Sequence, residues 1–246
     1  MSEIKRARFG LLLIGDEILN GRKQDAHLPA MIPRFAERGL DISWVRMVGD
    51  DAGLITDALR QTFASHDIVF SFGGIGATPD DLTRQCAATA LGVALHLHPE
   101  AEREIRGQLG ERLNSHHLRM GEFPQGSRII PNPVNRIPGF SIQRHHFMPG
   151  FPAMAWPMVE WVLDHDYAAL QAPGRSVSQT LLLKDTSEGP LIPVMEQVLD
   201  DFPDLRLACL PNADGRQEVE LSLRGAPERV TKGMDRLRAL LHQDER

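Results

Sequence analysis

The stretch SFGGIGATPDDLT, residues 71–83, places three glycines and two consecutive aspartates directly after an apolar segment. The residues before it, DIVFSF (67–72), predict a buried strand, and a helix is predicted from Pro79 to about Leu91. Thr78 and Asp81 then match the N-cap and third positions of that helix. A cap does not account for the glycines, each of which costs backbone entropy. A glycine loop that enters a helix presents N–H groups to phosphate, and we therefore expect a phosphate-binding loop here.

Strands and helices alternate on both sides of this stretch. Residues 8–14 and 41–48 predict two further strands, each followed by a helical pattern. Repeated strand-then-helix units are typical of right-handed crossovers in a parallel sheet. Two extended segments, 127–132 and 141–148, and a helix around Met158 complete this part. The predicted fold class is α/β, a three-layer α/β/α sandwich with a mainly parallel sheet.

A short segment with the composition of a linker, QAPGR (171–175), divides the chain. We predict a first domain over residues 1–171 and a small α+β domain over residues 172–246. The second part reads as a strand, a helix, two strands and a final helix. Between those two strands, Asn212-Ala213-Asp214-Gly215 predicts a hairpin turn.

Composition excludes several classes of function. The formal net charge of −6 over 246 residues leaves no basic excess for binding nucleic acid or an anionic membrane. The two cysteines, Cys86 and Cys209, lack a metal-type spacing and fit a reducing compartment. The apolar run Phe9–Ile14 is too short for a signal peptide, and no stretch reaches transmembrane length. We expect a cytoplasmic protein.

Glycine and acidic residues recur at the ends of the predicted strands. GDE (15–17) follows the first strand and GDD (49–51) follows the second, while Asn132-Pro133 and Pro149-Gly150 follow the last two. Ligands of open parallel sheets bind beyond the carboxyl ends of the strands, so these loops are expected to converge. Several carboxylates at one edge repel one another unless a cation or solvent relieves them.

At some of these positions a purely structural role remains an open alternative to a functional one. Asp16 and Glu17 fit the end of a strand as well as a site, and Asp51 is interpreted as a plain helix cap. The adjacent histidines at 116–117 and 145–146 are interpreted as surface or core residues rather than metal ligands. Gly74-Ile75-Gly76 lacks the third glycine of a dinucleotide fingerprint, and no P-loop lysine follows it.

Three segments together resemble a known family. GGIGATPDDLT (73–83), with GDEILNG (15–21) before it and MPGFP (148–152) after it, resembles the molybdopterin-binding domain superfamily. The sequence is most similar to the N-terminal domain of competence/damage-inducible protein A (CinA), including IIPNPV (129–134) and the small C-terminal part. The resemblance implies a three-layer α/β/α sandwich. The chain ends before any nicotinamide-nucleotide amidase domain, and we do not expect that activity.

The resemblance also implies a chemistry. Molybdenum-cofactor relatives bind a pterin phosphate and adenylylate it or use the adenylylated form, whereas CinA-type domains are associated with metal-dependent hydrolysis of ADP-ribose-like pyrophosphates. Asp81 and Asp16 are then the expected catalytic residues. A divalent ion (Mg, Mn or Co) is expected on Asp16, Asp50 and Asp81. The residues expected to bind a small phosphorylated ligand are Gly15, Glu17, Gly73, Gly74, Gly76, Thr78, Asp80, Thr83, Asn132, Pro149 and Gly150.

The sequence departs from the family pattern at several positions. Ala77 stands where proline is common, and His27 ends Asp25-Ala26-His27 where the family has Asp-Thr-Asn. Ala153 stands where the family has glutamate, and residues 185–188 match a later Gly-x-x-Glu-Ser segment only loosely. Whether these replacements change the substrate or abolish activity stays open.

Three hypotheses follow. The first is a metal-dependent pyrophosphatase acting on ADP-ribose or a related nucleotide diphosphate. The second is a molybdopterin-binding or adenylyl-transferring protein of molybdenum cofactor metabolism, and the third is a catalytically degenerate nucleotide-binding module. We also expect a homo-oligomer, because relatives are oligomeric and the helix carrying Trp156 and Trp161 offers an aromatic surface.

Overall fold

The computed structural model describes residues 7–212 and 217–244. The chain forms two compact units, with the main division between Gln171 and Ala172. The first unit comprises the described residues up to Ala36 together with Leu40–Gln171, and the second comprises Glu37–Gly39 and the residues from Ala172 onward. Across the described residues, no helix combines the length and the hydropathy needed to span a membrane.

A six-stranded sheet organises the first unit. The described strands are β1 (Phe9–Ile14), β2 (Ile42–Val48), β3 (Ile68–Phe72), β4 (Leu95–Leu97), β5 (Glu122–Pro124), β6 (Arg128–Ile130), β7 (Gly139–Ile142) and β8 (His145–Met148). The large sheet has the order β2-β1-β3-β8-β7-β6, and β4 pairs with β5 in a separate two-stranded sheet. Neighbours from β2 to β8 are parallel. Only β7 runs against its neighbours β6 and β8, so the carboxyl end of β6 lies at the same edge as those of the parallel strands.

Helices cover both faces of this sheet. They are α1 (Asp16–Leu19), α2 (His27–Glu37), α3 (Ala52–Phe63), α4 (Thr83–Leu91), α5 (Pro99–Leu109), α6 (Ser115–Leu118) and α7 (Pro152–Asp166). Leu11 and Leu13 of β1 pack in one core cluster with side chains of α2 and α7. Leu12 and Ile14 pack in a second cluster with side chains of α3 and α4. Because successive strand residues face opposite sides, this alternation confirms the predicted three-layer sandwich.

Two details of the first unit differ from the sequence-based expectation. Residues 141–148, predicted as one extended segment, form the β7–β8 hairpin, which turns at Gln143 and Arg144. Both turn residues are exposed and Gln143 has a φ of +53°, which explains why this polar pair interrupts the strand. The helical pattern that follows residues 8–14 contains Pro33, which predicts a kink because proline removes a backbone donor. The helix α2 nevertheless continues past Pro33 to Glu37.

The second unit is a helix-covered antiparallel sheet. Its described elements are β9 (Val177–Lys184), α8 (Glu188–Asp201), β10 (Arg206–Pro211), β11 (Glu218–Gly225) and α9 (Pro227–Asp244). The strand order is β10-β11-β9, and both pairings are antiparallel. Leu221 of β11, Val198 of α8 and Leu237 of α9 belong to its fully buried core. The turn predicted at 212–215 lies outside the described residues except for Asn212.

Candidate functional site

Backbone hydrogen bonds connect the ends of neighbouring parallel strands, and the loops that follow them, at one edge of the sheet. Gly15, after β1, donates its N–H to the Val48 carbonyl at 3.0 Å, at the end of β2. Gly73, after β3, donates its N–H to the Met148 carbonyl at 3.0 Å, at the end of β8. The structure therefore gathers the loops after β1, β2, β3 and β8, as the parallel topology requires.

Asp16 and Asp50 form a reciprocal pair across two of these loops. The Asp50 N–H donates to Asp16 Oδ1 at 3.1 Å, and the Asp16 N–H donates to Asp50 Oδ2 at 2.9 Å. Gly49 makes room for this pair, because a Cβ at that position would lie 2.5 Å from Asp16 Oδ1. Each carboxylate thus has its position fixed by one oxygen, while no described residue forms a hydrogen bond with the other oxygen.

Several negative charges lie near the Asp16–Asp50 pair. Partial burial, followed by the negative charges of Asp16, Glu17 and Asp80, raises the pKa of the Asp50 carboxyl. A raised pKa of this origin means that the anionic form of Asp50 is disfavoured by its surroundings. A cation at this place would relieve the repulsion. Asp51, the neighbouring acid, is the N-cap of α3 and accepts from the Leu54 N–H at 2.8 Å, which confirms its interpretation as a cap.

The glycine loop is closed at its base by the first residue of α4. The Thr83 N–H donates to the Gly74 carbonyl at 2.9 Å, and Thr83 Oγ1 donates to the Gly73 carbonyl at 3.0 Å. Gly73 and Gly74 have φ of +104° and +68°, which favour glycine. A Cβ on Gly74 would also collide with Thr83 Oγ1. These two glycines therefore have structural reasons that hold whether or not a ligand binds.

The predicted helix start at Pro79 is wrong, because α4 begins at Thr83 and its N-cap residue is Leu82. Thr78 is not a helix cap. Asp81 Oδ2 accepts from the Thr78 N–H at 2.8 Å and from Thr78 Oγ1 at 2.5 Å, and the Asp81 N–H donates to the Thr78 carbonyl at 3.0 Å. This local turn satisfies groups that a longer helix would have used, so it competes with the helix.

The three expected metal ligands do not form one cluster. Among residues 7–212 and 217–244, no group of three or more His, Cys, Asp or Glu side chains is arranged to hold a metal ion. The set of Asp16, Asp50 and Asp81 is therefore corrected to the Asp16–Asp50 pair, because only these two acids are joined by hydrogen bonds across their loops, whereas Asp81 bonds within its own turn. Two carboxylates still fit Mg²⁺, which is usually held by one or two carboxylates together with substrate phosphates and water.

The remaining predicted residues lie on these loops in varied roles. Asn132 is buried, and its side chain is engaged within its own loop through the Val134 N–H and the Ile137 carbonyl, each at 3.0 Å. Asp80 is exposed, and the neighbouring polar side chain of Thr78 lowers the pKa of its carboxyl. Glu17 pairs with Lys23 at 3.4 Å on the surface.

The loop after β8 meets the glycine loop through Gly150. An added Cβ on Gly150 would be 3.4 Å from the Gly73 Cα, so the two backbones approach closely. The Gly150 carbonyl also lies 3.2 Å from His27 Nε2. His27 is buried, its ring stacks on Phe72 with centroids 4.2 Å apart, and burial lowers its pKa. His27, which in the sequence is only a departure from the family pattern, thus lies in the wall beside the glycine loop.

Arg84 was not singled out from the sequence, yet it lies beneath the glycine loop. The side chain is only 2% exposed and is bound to the Gly76 carbonyl. A signal was present, because Arg84 shares a helix face with Ala87 and Ala88 at spacings of three and four, and both alanines are buried. An arginine on the apolar face of a helix is unusual enough to be examined.

Comparison with known proteins matches most of the first unit to a family. Residues 10–171 match the family model described as "probable molybdopterin binding domain". A CinA-like protein of Anaeromyxobacter dehalogenans is 33% identical over 196 residues, which cover 76% of this chain and 48% of the relative. A CinA-like protein of Citrifermentans bemidjiense is 34% identical over 210 residues, with coverages of 82% and 50%. The chain thus spans about half the length of these two relatives.

A solved structure carries the same fold. The crystal structure of the protein CinA, of unknown function, from Thermoplasma acidophilum superposes with a TM-score of 0.59 at 27% identity. The match covers 64% of this chain and 97% of that chain. The family match spans the six-stranded sheet except for Phe9, and it includes every loop of the candidate site. On these grounds the chain belongs to the molybdopterin-binding domain family and is a CinA-like member of it.

Proposed function

We propose that this protein is a metal-dependent pyrophosphatase that acts on ADP-ribose or a related nucleotide diphosphate. The observation that carries the proposal is the meeting of a glycine loop and a carboxylate pair at one sheet edge. The loop carries Asp80, whose charge acts on Asp50, so the two features lie within electrostatic reach of each other. A diphosphate with a divalent ion has matching parts, since it offers anionic oxygens to N–H groups and a cation to carboxylates.

The glycine loop has free donors for the phosphates. No described residue accepts a hydrogen bond from the backbone N–H groups of residues 74–77, whereas the next N–H, that of Thr78, is bonded to Asp81. Successive free N–H groups in a turn form an anion-binding concavity. Asp16 and Asp50 would hold the ion through the oxygens that do not bond to the backbone. When bound, a divalent ion supplies polarisation of the diphosphate and neutralisation of its charge.

The roles of the remaining residues follow from their positions. Asp81 fixes the turn that follows the free N–H groups, and its second oxygen, Oδ1, remains available at the loop surface. We propose that Asp81 and Asp16 orient the attacking water, since a positioned carboxylate is a general base. Hydrolysis then transfers the water oxygen to one phosphorus and breaks the bridging P–O bond, which yields two phosphomonoesters.

Thermal denaturation with ADP-ribose and Mg²⁺ tests this proposal. A ligand that binds only the folded state raises the melting temperature by mass action, and we expect that rise to need both components. Asp50→Asn should abolish it, because asparagine keeps the hydrogen bond to the Asp16 N–H but lacks the charge. Asp57→Asn is the matched control, since Asp57 is an exposed aspartate of α3 that pairs with Arg60. A wild-type protein indifferent to ADP-ribose with Mg²⁺, Mn²⁺ or Co²⁺ would contradict the proposal.

A second candidate function, molybdopterin binding or adenylyl transfer, is favoured by the description of the matching family. The same loop would then hold a pterin phosphate. Fluorescent pterin that co-purifies with the protein, or a thermal shift with a pterin phosphate but not with ADP-ribose, would select this candidate. A thermal shift with nucleotide that brings no turnover would indicate a degenerate nucleotide-binding module, in keeping with the His27 and Ala153 replacements.

We also propose that the protein is a cytoplasmic homo-oligomer. Phe151, at the start of α7, is 64% exposed, and Ile32 of α2 is 55% exposed. Trp156 and Pro157 of α7 line a shallow cavity of about 390 Å³. Exposed apolar side chains on these helices favour a protein–protein contact. Light scattering on the purified protein gives the mass, and a monomeric mass at micromolar concentration would refute the oligomer.

A further inference from the structure

Arg84 is buried beneath the glycine loop with carbonyl groups as its partners. It is 2% exposed and heads the set of large, fully buried side chains. Its Nη2 donates to the Gly76 carbonyl at 2.6 Å, and its Nη1 donates to the Arg119 carbonyl. Among the described residues, no carboxylate lies within ion-pair distance of Arg84. The negative charges of Glu122 and Asp81 act on it from a longer distance than an ion pair.

A buried guanidinium without an ion-pair partner lowers the stability of the folded state. Desolvating a charge is unfavourable unless hydrogen bonds and opposite charge compensate it, and an apolar side chain of similar size is often at least as stabilising. Burial lowers the pKa of Arg84 in agreement with this, although arginine stays protonated in proteins. Stability alone therefore does not explain why this position holds arginine rather than leucine or methionine.

The orientation of the Gly76–Ala77 peptide unit indicates the role of Arg84. Each described peptide bond is trans, so the C=O of Gly76 and the N–H of Ala77 point in opposite directions. Because the Gly76 carbonyl points at the buried guanidinium, the Ala77 N–H points away from the core. The second bond, to the Arg119 carbonyl, fixes the guanidinium itself to the turn Arg119–Gly121. The planar fork of arginine can bond two carbonyls at once, whereas a lysine ammonium lacks that fixed shape.

We propose that Arg84 is a positioning residue for the anion-binding loop: it turns the Gly76–Ala77 peptide so that its N–H faces the ligand, and it places a positive charge under the diphosphate. The choice of a diphosphate as ligand rests on the proposed function, whereas the hold of Arg84 on the loop does not. The residue thereby selects for anionic ligands over neutral nucleosides, since its charge acts across a poorly solvated region.

Two substitutions separate the charge from the fork. Arg84→Met removes both at similar length, and Arg84→Lys keeps the charge but not the paired bonds to carbonyls. Arg103→Met, at an exposed arginine of α5, is the matched control. Amide hydrogen exchange on the ligand-free full chain reports on the loop, and calorimetric titration with ADP-ribose and Mg²⁺ reports on affinity.

We expect faster exchange of the hydrogen-bonded loop amides, those of Thr78, Asp81 and Thr83, in Arg84→Met, with the amides of β1 and β3 unchanged. ADP-ribose affinity should fall by about tenfold or more in Arg84→Met, as expected for a lost charge-assisted contact, and less in Arg84→Lys. Binding of adenosine should be the same in all variants. If Arg84→Met does not fold, the selective increase in loop exchange must appear in Arg84→Lys.

Other results overturn the inference. Loop exchange that stays at the wild-type rate shows that Arg84 does not hold the loop. A rise that is equal in the loop, β1 and β3 shows that Arg84 only stabilises the fold. If the wild type binds no ADP-ribose but the loop exchanges faster in Arg84→Met, the proposed function fails while the positioning role stands. If the wild type and Arg84→Met bind ADP-ribose equally, the positioning role fails while the proposed function stands.

Discussion

Replacement of Gly74 by alanine tests how the candidate loop is built. Gly74 has a φ of +68°, and a residue with a Cβ loses about 1–2 kcal/mol in that conformation. The new Cβ would also collide with Thr83 Oγ1, which donates to the Gly73 carbonyl at 3.0 Å. Losing that buried hydrogen bond costs about 1 kcal/mol more. We therefore expect Gly74→Ala to lower the free energy of unfolding by about 2–3 kcal/mol.

Gly92→Ala is the matched control for this variant. Gly92, at the C-cap of α4, also has a φ of +68°, but no heavy atom lies within 4 Å of the added Cβ. Only the backbone contribution of about 1–2 kcal/mol should appear there. Urea denaturation of both variants gives the difference, provided that the m-value is unchanged. An equal loss in the two variants would refute the packing of Gly74 on Thr83.

Asp81→Asn should remove turnover but lower the free energy of unfolding by at most about 1 kcal/mol, because asparagine can still accept a hydrogen bond from the Thr78 N–H. An activity assay and a urea denaturation curve measure these two effects. Burial lowers the pKa of His145 and His146 to about 3, so between pH 6.5 and pH 3 only the unfolded chain binds these protons. The free energy of unfolding should therefore fall by about 2 kcal/mol per histidine by pH 5, and equal urea midpoints at pH 7 and pH 5 would contradict this. A fragment that ends at Gln171 should keep a cooperative thermal transition, and a featureless melt by circular dichroism would show that the two units share one core.

The centre of the sheet was predictable because β1 and β3 are buried on both faces. β1 and β3 read as continuous apolar runs, which strands of a parallel sheet require. Once those strands were placed, the parallel topology alone brought the loops of Asp16, Asp50 and Gly73 to one edge. No long-range information was needed for that step, since parallel strands share the direction of their carboxyl ends.

The sequence did not predict contacts that depend on competition or on burial. Thr78, Pro79 and Asp81 carry every signal of a helix start, but the Asp81 carboxylate closes a turn on Thr78 instead, and α4 begins at Thr83. The strands β4 and β5 are three residues each, which is too short for a period of two to be recognised. The apolar helix face around Arg84 indicates its burial, but its partner, the carbonyl of Arg119, lies thirty-five positions away and is not revealed by any local pattern.

The most direct test of the central claim is a phosphorus NMR time course of ADP-ribose with the purified protein and Mg²⁺. Cleavage of the bridging P–O bond replaces the diphosphate resonances with those of two phosphomonoesters. We expect this conversion to need Mg²⁺, to disappear in Asp50→Asn and to persist in Asp57→Asn. Diphosphate resonances that remain unchanged with the wild-type protein and Mg²⁺, Mn²⁺ or Co²⁺ would contradict the claim that this sheet edge hydrolyses ADP-ribose.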